Sequence, residues 1–314
     1  MYTMKEPLIS IHNLSKTYSV GKKEITAIHD LSLHIDQAET LGLVGESGCG
    51  KTTTGRCLLR LENATSGEIF YEKKPLLNFN SQELFSFRRE AQIIFQDPYS
   101  SLNPRMTASD IIAEPLRIHN TLEEKQIPSY IADLVTKVGL SPSALKRFPH
   151  EFSGGQRQRI GIARALALKP RFIVCDEPIS ALDVPIQAQI INLLKDLQRE
   201  FGLTYLFITH NLAMVKYISD RIAVMYLGHL VEICAAEELY LRPLHPYTQA
   251  LLAAIPPMDP TKRRPALEVL HKEPSSSKGC PFANRCPHVT PRCHQERPHL
   301  KTASTGHQVA CHLY

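Results

Sequence analysis

Residues 40–53 read TLGLVGESGCGKTT. Thr40 to Val44 form a short apolar run that suits a buried strand, and the residues after it satisfy G-x-x-x-x-G-K-[ST] with Gly45, Gly50, Lys51 and Thr52. The stretch TTTGRCLLRLE that follows has the composition of a helix. Strand, glycine-rich loop and helix in that order describe a phosphate cradle. Backbone N–H groups wrap a phosphate closely only where glycine removes the Cβ, and a helix start adds partial positive charge. The cradle runs through Gly45, Glu46, Ser47, Gly48, Cys49, Gly50, Lys51, Thr52 and Thr53. Lys51 is expected to reach the β- and γ-phosphates and the Thr52 hydroxyl to bind Mg²⁺. The plainer alternative is a glycine-rich turn carrying a surface lysine. Cys49, beside Lys51 and a helix start, is expected to hold a stabilised thiolate, the alternative being an inert and shielded filler.

Working outward, LSLHID alternates Leu31, Leu33 and Ile35 as a half-buried strand does. From about Ser81 to Arg164 the pattern turns helical. IPSYIADLVTKVGL places Ile127, Ile131, Leu134, Val135 and Val138 on one face, with Gly139 suited to the cap. Strand character returns in FIVC, in TYLFI and in RIAVMYLGHLVEI, where Gly228 suits a tight turn. An α/β fold follows: a parallel-sheet core interrupted by a helical insertion. From Ile255 the composition shifts to IPPMDPTKRRP and EPSSSKG, which predicts a linker before a cysteine-containing tail.

The chain has 314 residues, 43% of them hydrophobic and 21% charged, enough for one large domain and an appendage. No apolar run reaches about eighteen residues, and the opening MYTMKEPLISIHNLSKTY has no apolar segment behind a basic start. The expectation is a chain that neither spans a membrane nor is secreted, with its cysteines in a reducing compartment. The net charge of +5 is spread along the chain, which gives little support to nucleic-acid binding.

FIVCDEP ends an apolar strand in Asp176 and Glu177. Downstream of a phosphate cradle, Asp176 is expected to meet Mg²⁺ and Glu177 to face the attacking water as general base, the alternative being an ordinary charged strand end. SGGQRQRIGIARALALKP starts a helix with Ser153, Gly154, Gly155 and Gln156, a second anion site. Its alternative is a plain N-cap followed by a solvated cationic face of Arg157, Arg159 and Arg164.

Taken in order, GESGCGKTT, Gln96 in IFQDP, SGGQ, FIVCDEP, SALD and His210 in FITH resemble the ATP-binding cassette (ABC) family over almost all of residues 8–255. The resemblance implies a P-loop nucleotide-binding domain over 1–255, with a helical subdomain at about 81–165. It also implies a head-to-tail dimer in which the cradle of one subunit and the SGGQ of the other sandwich each ATP. In that frame Gln96 senses the metal and water and links to the membrane partner, Asp183 lies in the loop crossing the dimer interface, His210 contacts the γ-phosphate, and Tyr18 stacks on adenine. The alternatives are a half-buried strand tyrosine and a structural histidine.

IFQDPYSSLNPRMT and PLHPYTQALLAAIP look like segments of the ATPases of bacterial dipeptide and oligopeptide importers, and GESGCGK with EPISALDVPIQAQ fits the F-type subunit. Two departures, Pro185 and Phe152, are small. This branch implies a second, non-identical ABC ATPase, two integral membrane permease subunits, an extracellular binding protein, and a peripheral place on the cytoplasmic face of the membrane. Related systems carry nickel or other solutes. A non-transport ABC ATPase is disfavoured because no long heptad coil, second cassette or strongly basic insertion occurs.

In the small C-terminal domain of residues 256–314, Cys280, Cys286, Cys293 and Cys311 are separated by five, six and seventeen residues. A core too small to fold alone needs a staple or a metal, and four thiolates suit either zinc or an iron–sulfur cluster. No short C-x-x-C knuckle is present, which favours iron; nearby histidines keep a mixed zinc site open, and the plain alternative is four unligated thiols on a flexible tail. The resemblance implies a [4Fe–4S] cluster that takes no part in hydrolysis.

Overall fold

Two stretches explain the architecture best: the Thr40–Val44 strand, buried at every position, and the Phe172–Asp176 strand, buried likewise. Strands with no solvated face need cover on both sides, as parallel strands have. In the computed structural model, residues 7–21, 23–255 and 278–314 are described. The linker expected between Ile255 and the tail falls on residues 256–277, outside the described residues, as does the opening Met1–Glu6. The chain divides into two units.

The first unit takes in residues 36–39 and 78–208. Its strands Ala91–Ile94, Phe172–Asp176 and Thr204–Thr209 run parallel, with Ala91 beside Phe172 and Phe172 beside Thr204. Helices Ser81–Glu90, Ala108–Ile118, Ile127–Lys137, Gly154–Leu166 and Val184–Phe201 make up most of the rest. The Ile127–Lys137 helix buries Ile127, Ile131, Leu134 and Val135, the apolar face its spacing predicts. Gly139 follows at φ 75°, the left-handed conformation that closes a helix. The expectation of helix from Ser81 to Arg164 needs one correction, because Ala91–Ile94 is a strand. AQII is too short a run to separate strand from helix by period, and pairing with Phe172–Asp176 decides it.

The second unit takes in, of the described residues, 7–21, 23–35, 40–77, 209–255 and 278–314. The Pro7–Val20 strand is flanked by Lys23–Asp36 on one side and Ser66–Tyr71 on the other, and Lys74–Pro75 completes this four-stranded sheet. Leu31 and Ile35 are fully buried and Leu33 nearly so, as their alternation requires. Elsewhere in the unit the Thr40–Val44 strand runs parallel to Arg221–Tyr226, with Val44 beside Val224. Arg221–Tyr226 turns through Leu227 and Gly228, both at positive φ, into the antiparallel strand His229–Ala235. The hairpin Lys301–Ser304 and His307–Val309 then adds to His229–Ala235, with Glu232 beside Val309.

Candidate functional site

In the second unit the loop after Val44 has the shape its glycines permit. Gly45 sits at φ 154°, and a Cβ there would lie 2.2 Å from the Met225 carbonyl oxygen. Gly50, at φ 100°, caps the Lys51–Leu58 helix, and a Cβ there would lie 2.2 Å from the Ala27 carbonyl oxygen. No other residue fits either position without moving backbone. Lys51 is 4% exposed and folds back over the loop, its Nζ donating to the carbonyl oxygens of Gly45 at 2.8 Å and Glu46 at 2.9 Å. This arrangement keeps a charged amine solvated by protein dipoles inside the loop. Ser47 and Gly48 are exposed, and Thr52 and Thr53 are half-buried at the start of the helix.

Cys49 departs from expectation. It is 2% exposed, and burial pushes its thiol pKa up by more than nearby Lys51 pulls it down. The stabilised thiolate is corrected to a protonated, shielded thiol: desolvation outweighs one neighbouring cation.

His210, also in this unit, is exposed on the bend after the Thr204–Thr209 strand. Tyr18 is half-buried on the Pro7–Val20 strand with Lys16 Nζ 4.6 Å from its ring centroid.

In the first unit, Asp176 closes its strand at 5% exposure and Glu177 follows at φ 47°. A left-handed glutamate is strained, and three contacts hold it. Its N–H donates to the Ile208 carbonyl at 3.0 Å, its carbonyl accepts from Ser180 Oγ at 3.0 Å, and its Oε2 accepts from Gln96 Nε2 at 2.9 Å. The structure thus brings together Gln96 and Glu177, which lie 81 residues apart in sequence.

Ser153 is the N-cap of the Gly154–Leu166 helix. Its Oγ accepts from Gln156 N at 3.3 Å, and Gln156 Oε1 accepts from Ser153 N at 3.0 Å. Gly154 and Gly155 pack on the loop and helix that carry Asp183, for a Cβ on Gly155 would lie 2.7 Å from Ile186. Asp183 is the exposed N-cap of the Val184–Phe201 helix, and Pro185 fits its first turn. Arg157, Arg159 and Arg164 are not a solvated face. Each donates to a backbone carbonyl, of Pro149, Val138 and Ser101 respectively, at 2.6 Å.

Sequence reasoning missed three residues around the loop: Tyr226, Tyr247 and Arg285. Tyr247 Oη accepts the Glu46 N–H at 2.9 Å, and Arg285 grips the Glu46 carboxylate. Their partners lie 201 and 239 residues away, so no local spacing announces them.

Residues 28–180 match the ABC transporter family, and residues 231–293 match the C-terminal region of oligopeptide/dipeptide transporters. The oligopeptide transport ATP-binding protein OppF of Bacillus subtilis is 57% identical, across 83% of this chain and 86% of that protein. OppF of Salmonella typhimurium is 50% identical across 92% and 88%. Among solved structures, the dimeric ATP-binding cassette MJ0796 bound to ADP and Pi aligns with a TM-score of 0.67 and 28% identity, covering 73% of this chain and 98% of that one.

The iron–sulfur expectation is corrected. Neither the matched families nor these relatives support a [4Fe–4S] cluster. Cys280, Cys286, Cys293 and Cys311 line one cavity of about 30 Å³, room for a water molecule. Burial pushes the thiols of Cys280, Cys286 and Cys311 up, Cys280 to about 11. Among the described residues, the side chains close enough together to share one ion are Glu232, Cys234 and His307 instead. Two OppF proteins share half or more of their residues with this chain over most of both chains, and the chain belongs to the oligopeptide transport ATP-binding proteins of the ABC transporter family.

Proposed function

We propose that this chain hydrolyses ATP, with Mg²⁺, to drive uptake of oligopeptides or dipeptides through a membrane transporter. The cradle of Gly45 to Thr53 holds the phosphates, and Lys51 exchanges its loop carbonyls for phosphate oxygens when they arrive. Thr52 and Asp176 take the metal together with Gln96. Glu177 acts as general base on water, and His210 meets the γ-phosphate. Tyr18 stacks on the adenine. Ser153, Gly154, Gly155 and Gln156, with Asp183, serve the nucleotide of a neighbouring ATPase.

The observation that carries the reading is the hydrogen bond from Gln96 to Glu177, made while Glu177 holds a strained backbone. A residue able to report on a membrane partner touches the group that activates water, which is what coupling hydrolysis to transport requires. The assembly in this reading has a second, non-identical ABC ATPase, two permease subunits, a substrate-binding protein outside the cell, and this chain peripheral on the cytoplasmic face. No helix of the described residues is long and apolar enough to cross a membrane. Residues 1–255 form the cassette, with its helical subdomain at about 81–165, and residues 256–314 a small C-terminal domain.

The test is Glu177→Gln in the reconstituted transporter. Binding of MgATP should persist while hydrolysis falls about 10²- to 10⁴-fold, the usual cost of a lost general base, and peptide uptake should fall with it. Turnover within a few fold of the unaltered protein would sink the assignment.

A further inference from the structure

The motif leaves the second position of the phosphate loop to any residue, yet all three polar groups of Glu46 are engaged. Its carboxylate accepts two hydrogen bonds from one guanidinium, Arg285 Nη2 to Oε1 at 3.0 Å and Nη1 to Oε2 at 3.1 Å. Its N–H donates to Tyr247 Oη at 2.9 Å, and its carbonyl accepts from Lys51 Nζ at 2.9 Å. Arg285 is fixed in turn, donating to Tyr226 Oη at 3.3 Å. Tyr226, Tyr247 and Phe282 form one buried ring cluster, with centroids 4.5 to 5.5 Å apart. The parts of Glu46 that Lys51 does not hold are therefore held by residues more than 200 positions downstream.

Charge gives this grip a consequence. A triphosphate brings several negative charges to the loop, and an uncompensated carboxylate there would repel them. A bidentate guanidinium cancels that charge and fixes the side chain's direction, which a single point charge does less well. We propose that Arg285 is a positioning residue for nucleotide binding: it neutralises Glu46 and, with Tyr247, holds the first turn of the phosphate loop in the shape that receives the phosphates. The C-terminal segment thereby sets the affinity of the loop for nucleotide. This inference rests on the nucleotide reading proposed above and adds a residue that the loop motif does not contain.

The test is isothermal titration of the full chain with MgATP. Arg285→Gln should weaken binding about tenfold, the scale of one charge-assisted bidentate contact. Arg285→Lys, which keeps the charge and loses the two-pronged contact, should recover part of that loss and bind between Arg285→Gln and the unaltered chain. Adding Glu46→Gln to Arg285→Gln should bring affinity back to within about threefold, because it removes the charge left uncompensated. A bridge that served folding alone would lower the fraction of chain that binds, read as the stoichiometry of the titration, and leave the affinity of the folded chain unchanged. Arg292→Ala, which breaks an exposed pair with Glu296 in the same segment, should leave binding unchanged. Affinity within twofold after Arg285→Gln, or a loss that Glu46→Gln does not relieve, overturns the inference alone. An unaltered chain that fails to bind MgATP overturns the nucleotide reading and this inference with it.

Discussion

Cys49 shows how a single side chain answers to competing fields. The start of the Lys51–Leu58 helix and the Lys51 amine both favour a thiolate, but the sulfur is 2% exposed, and losing water costs the anion more than those neighbours return. The thiol should therefore behave as packing. In the native chain at pH 7.5, iodoacetamide should modify Cys49 no faster than Cys175, which is fully buried, and more slowly than the half-buried Cys311, with or without MgATP. Peptide mass spectrometry over a labelling time course checks this, and a Cys49 that reacts ahead of Cys311 would restore the reactive-thiol reading. The glycines that shape the loop were legible in sequence, since their backbone positions admit no Cβ. The protonation state of Cys49 was not legible there, because it depends on how much surrounding chain excludes water.

At the scale of elements, the Lys301–Ser304 and His307–Val309 hairpin covers the open edge of the His229–Ala235 strand, an edge that would otherwise expose unpaired backbone groups. What pins it is a buried carboxylate. Glu232, with no exposure, accepts from Leu244 N at 2.7 Å, from His245 N at 3.0 Å and from His307 Nε2 at 2.7 Å. Cys234 lies within reach of the same atoms, but with the carboxylate oxygens already engaged the group reads as a latch. His307→Ala should cost about 2–4 kcal/mol by urea denaturation, since it strips a partner from a buried charge, while His307→Gln should retain part of that. A loss under about 0.5 kcal/mol would show the latch to be idle. The hairpin went unread in sequence because KTASTGHQV is short and polar, and only its docking makes it a strand. The Gly228 turn and the Gly139 cap were legible, for their backbone conformations belong to glycine itself. Arg285 was not, since a pair spanning 239 residues leaves no local period.

At the scale of the whole molecule, one buried base ties stability to pH. His245 is 1% exposed, and its Nδ1 accepts the Tyr247 N–H at 3.0 Å, a bond that only the unprotonated nitrogen can make. Burial pushes its pKa down to about 3, whereas in the unfolded chain it returns to about 6.5. Between those values the unfolded chain binds a proton that the folded chain refuses, so His245 favours folding fully above about pH 6.5 and progressively less as the pH falls towards 3. Each pH unit in that window costs about 1.4 kcal/mol, so going from pH 7 to 5 should remove about 2 kcal/mol through this residue. Asparagine at 245 keeps a side-chain oxygen for the Tyr247 N–H and does not titrate. In urea denaturation of the full chain, the drop in stability from pH 7 to 5 should accordingly be about 2 kcal/mol smaller for His245→Asn than for the unaltered protein. Equal drops in the two proteins would mean that His245 takes up its proton in the folded chain as readily as in the unfolded one.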